Sequence, residues 1–406
     1  MLALIRETPS NRFSVNALTG ILDTCRIPWA ALSDPGELAA RAHRAARRGR
    51  RVLAVYSFMT PDLARVRSEV RTLLLRAPRA VAVAGGPHPS ADPQGSLGAG
   101  FHHVFVGDAE ETLPGFLEAG ATGPAIWRAP DPPTAPLGRF PAFGAGRGGP
   151  VELARGCPFG CGFCSVGRRK VRFRPPEAVL AAGAALRAAG RRKIFFVTPD
   201  AFRYEGGLGA LDDLLGRVRR LGLVPVLGTF PSEVRPEGAT AEALEVLRRH
   251  CQNRTVLVGA QSGSDAVLAR LRRGHTVADA LRAARTIRRC GLRPRVDLIF
   301  GLPGESDAER RATVELARRL RREAGAQLHA HYYHPLPGTP LWGQAPAPLD
   351  EPTRRFLLDL RRAGAEDGAW PEQERLARRI LDWAHRGWIQ APPGRPSGPA
   401  PAPVSP

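Results

Sequence analysis

Three things are scarce in this chain of 406 residues: long apolar runs, lysine, and cysteine outside one short stretch. The longest apolar segments, such as VLAVYSFM (52–59) and KIFFVT (193–198), have strand length and fall far short of a membrane span, so none is expected. Lysine occurs only at Lys170 and Lys193, which leaves arginine to carry the formal charge of +21. A positive surplus attracts phosphate. These arginines, however, are spread through the helical stretches among abundant Ala, Gly and Pro, a pattern that suits a GC-rich coding bias at least as well as a binding stripe. No recognised nucleic-acid module accompanies them, so a small molecule is a better expectation for the substrate than RNA or DNA. Six cysteines, three of them between 157 and 164, argue for metal in a reducing compartment rather than for a disulfide framework. The N-terminus, MLALIRETPS, lacks the charged lead-in and long apolar core of a signal peptide, and the cytoplasm is the expected compartment.

What is present is a double series of strand and helix signals, enough chain for two or three domains. MLALIRE (1–7), VLAVYSFM (52–59), AVAVAGG (80–86) and HHVFVG (102–107) read as strands. PDLARVRSEVRTLLLRA (61–77) and DAEETLPGFLEAG (108–120) read as helices. This alternation predicts an open parallel α/β sheet of the flavodoxin or Rossmann type over 1–120, with ligands at the carboxyl ends of its strands, where Ser57 and Gly85-Gly86 fall. Residues 121–149 are a Pro/Gly-rich linker by composition. A second series over 150–345 has strand candidates at 150–156, 193–198, 224–230, 255–261, 295–300 and 327–333. Helices are expected at 176–190, 208–221, 237–250, 265–290 (broken at Gly274) and 306–324. Six β/α repeats predict a partial (β/α)6 TIM-type barrel with its chemistry at the strands' C-terminal ends. A short helical extension (346–390) and a disordered Pro/Gly/Ser tail (391–406) complete the chain.

The stretch RGCPFGCGFCS (155–165) sits at one such strand end and holds Cys157, Cys161 and Cys164. Thiolates suit zinc and iron–sulfur clusters. A structural zinc site needs four ligands, commonly in paired C-x₂-C arrangements. Here the spacing is C-x₃-C-x₂-C, and the nearest fourth thiolate, Cys251, is remote. Three cysteines on a glycine-rich loop can hold three irons of a [4Fe–4S] cube and leave the fourth open. Phe163 can shield the cube from water. Cys25 and Cys290 read as buried small residues; Cys251 is the one other thiol worth watching for reactivity.

C-x₃-C-x₂-C with an aromatic before the last cysteine, after the first strand of a β/α series, resembles the radical SAM superfamily. The resemblance implies that S-adenosylmethionine (SAM) binds the open iron and is cleaved reductively to a 5′-deoxyadenosyl radical. The electron would come from a reductant such as flavodoxin or ferredoxin. It also implies SAM contacts at Asp200 in FFVTPDAF, Ser232 and Glu233 in GTFPSEVRPE, Gln261 and Ser262 in LVGAQSGSD, and Gly301 and Gly304 in VDLIFGLPGES. Asp200, Ser232, Glu233, Gln261 and Ser262 have a plainer alternative as cap or turn residues. HYYHPLPGTPLW (331–342) resembles the closing strand of cobalamin-associated members, where His331 and His334 either face the reaction centre or serve structure. SFMT (57–60), GGPHPS (85–90) and GDAEET (107–112) resemble the B12-binding-like domain that precedes many such barrels, with Ser57, Gly85 and Gly86 lining the cobalamin groove. The usual Asp-x-His-x-x-Gly is absent: His43, in RAHRAA, reads as a helix-surface residue, and His88 as either a loop residue or a cofactor contact. The domain therefore either binds cobalamin without a histidine ligand or keeps the fold without the cofactor. Methyl transfer is expected with cobalamin, and a radical rearrangement, cyclisation or oxidation without it; no catalytic side chain is assigned. The alternatives are a tRNA methylthiotransferase and a non-catalytic iron–sulfur or cobalamin sensor.

Overall fold

The N-terminal strands are apolar on both faces, as a parallel sheet covered on both sides requires. In β1 (Leu2–Arg6) and β3 (Val52–Ser57) every residue is buried. Ala3, Ile5, Leu53 and Val55 share one core with Val15, Ile21 and Phe116, and the alternate residues face the other side. The computed structural model describes residues 1–119, 123–167 and 169–394. Most of the segment expected to be a disordered tail, from 395 on, lies outside the described residues. The chain divides into two compact units, the first made of Met1–Pro150, Leu336–Gly338 and Ile380–Pro393, the second of Val151–Pro335, Thr339–Arg379 and the chain from Gly394 onward.

In the first unit, α1 (Arg12–Thr24), β2 (Trp29–Leu32) and α2 (Pro35–Arg47) separate β1 from β3. Then follow α3 (Leu63–Arg76), β4 (Val81–Gly85), α4 (Pro87–Ala91), α5 (Pro93–Gly98), β5 (His103–Val106), α6 (Ala109–Ala119) and β6 (Ala125–Arg128). All six strands are parallel, in the order β2-β1-β3-β4-β5-β6. The order reverses between β1 and β3, the switch point at which such sheets open a crevice. One expectation needs correction. The stretch 121–149 is not a free linker: Ala125–Arg128 pairs with β5 because Trp127 packs against Phe105 and Phe116. Farther on, Gly144 N–H donates to Thr19 Oγ1 (3.0 Å) and Arg147 pairs with Glu7 (2.5 Å). The C-terminal extension is helical and is divided between the units. Ile380–Pro393 belongs to the first unit, where the Arg67 guanidinium lies 4.7 Å from the Trp388 ring centre and the Asp92 carboxylate accepts from Gln390 N–H.

The second unit is an open, partial barrel. Its strands β7 (Val151–Glu152), β10 (Lys193–Val197), β11 (Val224–Val226), β12 (Thr255–Gln261), β13 (Arg293–Phe300) and β14 (Gln327–Tyr332) are parallel and lie in two three-stranded sheets, β11-β10-β7 and β12-β13-β14. Residues 228–234 bridge the sheets, with Val234 N–H donating to Leu257 O (2.8 Å). The first expected strand, 150–156, is split: β8 (Ala154–Cys157) turns away to form an antiparallel hairpin with β9 (Arg169–Phe173). The helices are α7 (Pro176–Ala188), α8 (Gly207–Arg220), α9 (Ala241–His250), α10 (Asp265–Arg270), α11 (Val277–Arg289), α12 (Asp307–Ala324), α13 (Glu351–Arg362) and α14 (Trp370–His385), the last shared with the first unit. The expected break at Gly274 separates α10 from α11: the glycine has φ +72°, and Thr276 and Asp279 form a capping box that restarts the helix. Val296, Leu298, Phe300, Leu328, Ala330 and Tyr332 pack toward the helices. Asp297, Ile299, His329 and His331 therefore occupy the opposite, inner face of β13 and β14.

Candidate active site

Cys157 ends β8 opposite Arg169 of β9. Gly156 before it has φ +90°, and a Cβ there would collide with the Lys170 carbonyl, so the hairpin needs glycine at this point. The loop beyond is tied at Gly162, whose N–H donates to Leu271 O and whose carbonyl accepts from Leu341 N–H (both 3.0 Å). Cys161 is buried, and Cys157 and Cys164 are half-buried. Two of the sulfurs receive N–H donors: Val166 N–H to Cys164 Sγ and Arg273 Nη1 to Cys161 Sγ, each 3.4 Å. Burial above all, and then the neighbouring thiols, pushes Cys157 and Cys164 up from the ordinary thiol range. A crowded thiol set of this kind gives up its protons to a soft cation, and donors to sulfur then stabilise the thiolates. Its three ligands fit an iron–sulfur cube with an open iron better than a four-ligand zinc site.

The remaining cysteines sit apart. Cys25, Cys251 and Cys290 cap the C-termini of α1, α9 and α11. Cys25 and Cys290 are half-buried rather than buried as expected. Burial pushes the Cys251 thiol up to about 12, which argues against reactivity.

Arginines surround the cysteine loop. The Phe159 ring lies between Arg235, at 3.5 Å from guanidinium to ring centre, and Arg203 at 5.4 Å. Arg273 also donates to Gly259 O (2.7 Å), and its own carbonyl accepts from Arg235. Phe163 packs beside a buried apolar group of Leu271, Ile299 and Tyr333, with Arg273 5.9 Å from its ring centre. Asp200 shares one cleft with Gly156, Cys157 and Phe159. Its carboxylate accepts from Phe202 N–H (3.4 Å), lies 3.8 Å from Arg203 Nε, and is raised by burial.

The other expected SAM contacts divide into two sets. Ser232 Oγ donates to Thr229 O (2.9 Å), and Ser262 Oγ meets Thr313 Oγ1 of α12 (3.2 Å), so both hydroxyls are taken up by structure. Gln261 has φ +71° at a bulge in β12, and its amide occupies the space a side chain on Gly259 would need. Glu233 is half-buried. Its carboxyl is pushed up to about 7, first by burial and then by Asp297. Gly301 has φ +73° and is covered by the Tyr332 ring, whereas Gly304, φ +69°, faces open space. His331 Nε2 lies 3.8 Å from Asp297 Oδ2. His334 follows β14, half-buried, and burial lowers it.

Two features escaped the sequence reading. The segment Leu271–His275, expected only as a helix break, supplies the acceptor for Gly162 and the donor to Cys161; its signal was an arginine pair before a glycine. Asp297 is 4% exposed on the inner face of β13; its signal was one acid inside an apolar strand.

In the first unit, Ser57 and Gly85 are paired across the ends of β3 and β4. Gly86 has φ +94°, and a Cβ on it would stand 2.7 Å from Ser57 Oγ, so the strand ends close together only with glycine. Asn11 ties the ends of β1 and β3, donating from Nδ2 to Arg6 O (2.8 Å) and Ser57 O (2.9 Å). His88 is 1% exposed, bonded through Nδ1 to Thr60 Oγ1 (3.0 Å) and packed on Phe58. It is a core residue, not a ligand presented to the crevice. His43 is exposed on α2, as expected.

An open half-barrel with three cysteines on the loop after its first strand defines a class. Residues 151–317 match the model of the radical SAM superfamily. Over these residues the chain is similar to that superfamily, and a radical SAM domain implies a [4Fe–4S] cluster and SAM as cofactors. A tRNA-2-methylthio-N(6)-dimethylallyladenosine synthase of Anaeromyxobacter sp. (strain K) is 33% identical over 262 residues, 61% of this chain and 51% of that protein. An uncharacterized protein of Methanopyrus kandleri is 26% identical over 253 residues, 59% of this chain and 47% of that one. The chain thus spans about half the length of these curated relatives. Among solved structures, the cobalamin-dependent SAM radical enzyme OxsB, with aqua-cobalamin and SAM bound, superposes with a TM-score of 0.63 at 12% identity, covering 95% of this chain and 61% of that one. The radical SAM methyltransferase TsrM from Kitasatospora setae, with cobalamin and a [4Fe–4S] cluster bound, gives 0.62 at 18% identity, covering 84% and 76%. At these identities the likeness is one of fold: a parallel α/β sheet followed by a partial barrel. No helix among the described residues is long and apolar enough to cross a membrane.

Proposed function

We propose that the chain is a radical SAM enzyme in which Cys157, Cys161 and Cys164 hold three irons of a [4Fe–4S] cluster and SAM takes the fourth. When bound and reduced, these cofactors supply a 5′-deoxyadenosyl radical that removes a hydrogen atom from the substrate. The observation that carries the reading is the set of three thiols on one loop, two of them already hydrogen-bonded by N–H donors. Arg273 holds Cys161 against β12 and offsets thiolate charge. Phe159 and Phe163 exclude water from the sulfurs. Asp200, in the cleft with Cys157, accepts the ammonium of SAM's methionine moiety. Gln261 and Glu233 orient its ribose and carboxylate, and Gly301 and Gly304 let the backbone approach adenine. Ser232 and Ser262, whose hydroxyls already bond within the protein, would meet SAM through their remaining acceptor capacity. The electron comes from a small reductant protein such as flavodoxin or ferredoxin.

The fold shared with TsrM and OxsB supports cobalamin as a second cofactor in the first unit. Ser57, Gly85 and Gly86 would line its groove, with no histidine ligand to cobalt because His88 is turned into the core. Methyl transfer to an unactivated carbon of a small molecule is the reaction this set of cofactors serves. The methylthiotransferase relatives favour a second reading, tRNA methylthiolation. It calls for a further cluster in the first unit, where residues 1–150 offer only Cys25.

The test is anaerobic reconstitution followed by dithionite and SAM. About four irons per chain and 5′-deoxyadenosine are expected, and both are lost in Cys157→Ala, Cys161→Ala and Cys164→Ala. A fully loaded cluster that yields no 5′-deoxyadenosine rejects the reading. Protein purified with added cobalamin should carry its visible spectrum, and Gly86→Val should not.

A further inference from the structure

On the inner face of the second unit, Gly259, Asp297 and His329 stand in register across β12, β13 and β14, and His331 lies one inward position farther along. A carboxylate oxygen of Asp297 and one ring nitrogen each of His329 and His331 lie within 4.8 Å of one another. Asp297 is 4% exposed, and its Oδ1 has no hydrogen-bond partner among the described residues. A buried carboxylate oxygen left bare is costly, so the arrangement calls for a donor that arrives from outside the chain.

The protonation pattern narrows the donor. Gln373 Oε1 accepts from Tyr332 N–H (2.7 Å), which leaves its Nε2 to donate to His331 Nδ1 (3.2 Å). His331 then carries its proton on Nε2, facing Asp297. A metal-bound histidine needs the reverse, a bare nitrogen toward the metal and N–H toward its outer partner.

We infer that Asp297, with His331 beside it, is a recognition site for a protonated primary amine of the substrate. An ammonium brings one positive charge and three N–H donors. That matches the bare Asp297 oxygen, and His331 Nε2 stands 3.8 Å from the other one. The inference deepens the radical SAM reading and rests on it for the chemistry after binding, but not for the binding itself.

The test uses the full chain with its cluster reconstituted and n-butylammonium as the probe, with n-butanol and butyrate as neutral and anionic controls, followed by ligand-observed NMR titration. Butylammonium should bind at least tenfold more tightly than either control, and Asp297→Asn and Asp297→Ser should each weaken it about tenfold with unchanged melting temperature. Equal binding of butylammonium and butanol, or binding untouched by both substitutions, overturns the assignment. So does stoichiometric Zn²⁺ uptake that Asp297→Asn abolishes, which would make the cluster a metal site. Formation of 5′-deoxyadenosine by the unsubstituted protein reports on the radical reading separately, so either can fail alone.

Discussion

At the scale of single residues, what matters is where buried polar groups find partners. Arg273 serves a sulfur and a carbonyl at once; Asp297 leaves an oxygen bare. His88, in the first unit, is a third case with a consequence for stability. Burial lowers its ring to about 4, its Nε2 stands 4.0 Å from Asp92, and burial in turn raises that carboxyl. Between pH 4 and the ordinary histidine value near 6.5, the unfolded chain takes up a proton that the folded chain refuses. Stability therefore rises with pH across this window, is complete above it, and is lost as pH falls toward 4, with a slope approaching 1.4 kcal/mol per pH unit from this group, an order-of-magnitude figure. Denaturant unfolding at pH 4.5, 5.5 and 7 should show that loss in the native sequence and a flatter profile in His88→Gln. Parallel profiles would remove His88 as the cause.

At the scale of elements, the hairpin β8–β9 aims the cysteine loop, and one glycine makes the hairpin possible. Gly156→Ala puts a methyl group against the Lys170 carbonyl at a positive φ, which costs about 1–2 kcal/mol for the backbone conformation alone and more for the collision. The expected outcome is a protein with native far-UV circular dichroism but iron content after reconstitution reduced by more than half. Full iron uptake would mean that the loop tolerates a different approach. Gly274 works differently: at φ +72° it sits between α10 and α11, in the segment Leu271–His275 that lies against the cysteine loop. Its break in the helix was legible because glycine punctuates a helical pattern. The purpose of the break was not, because its contacts are with residues more than a hundred positions earlier.

At the scale of the whole molecule, the charge of +21 invites a nucleic-acid reading that the ion pairs weaken. Many of the arginines pair with acids of the same or a neighbouring helix, as Arg270 does with Glu309, Arg285 with Glu323 and Arg362 with Asp359. Such exposed pairs are worth about 0–1 kcal/mol each, but they spread the positive charge among carboxylates rather than leaving an unbroken stripe. Nuclease treatment should accordingly leave 5′-deoxyadenosine formation unchanged within twofold, and 0.5 M salt should strip co-purified RNA. Strong dependence of the activity on added tRNA would favour the methylthiolation reading instead.

The amino-acid sequence by itself determined the alternation of strands and helices, the break at Gly274, and a triplet of thiols short by one ligand. These are local matters, set by periodicity, glycine and spacing within a few residues. It misjudged 121–149, because Pro and Gly content marks loops but does not reveal that Trp127 has an aromatic cluster to join. It could not tell that Ser232 and Ser262 spend their hydroxyls on structure whereas Asp297, one acid in an apolar strand, faces the interior. Tertiary structure alone decided those points, and it alone set Arg273 against Cys161, 112 residues away in the chain. The physical reason is the same throughout: a residue's type fixes which bonds it can form, and the parallel strands decide which partners come within reach.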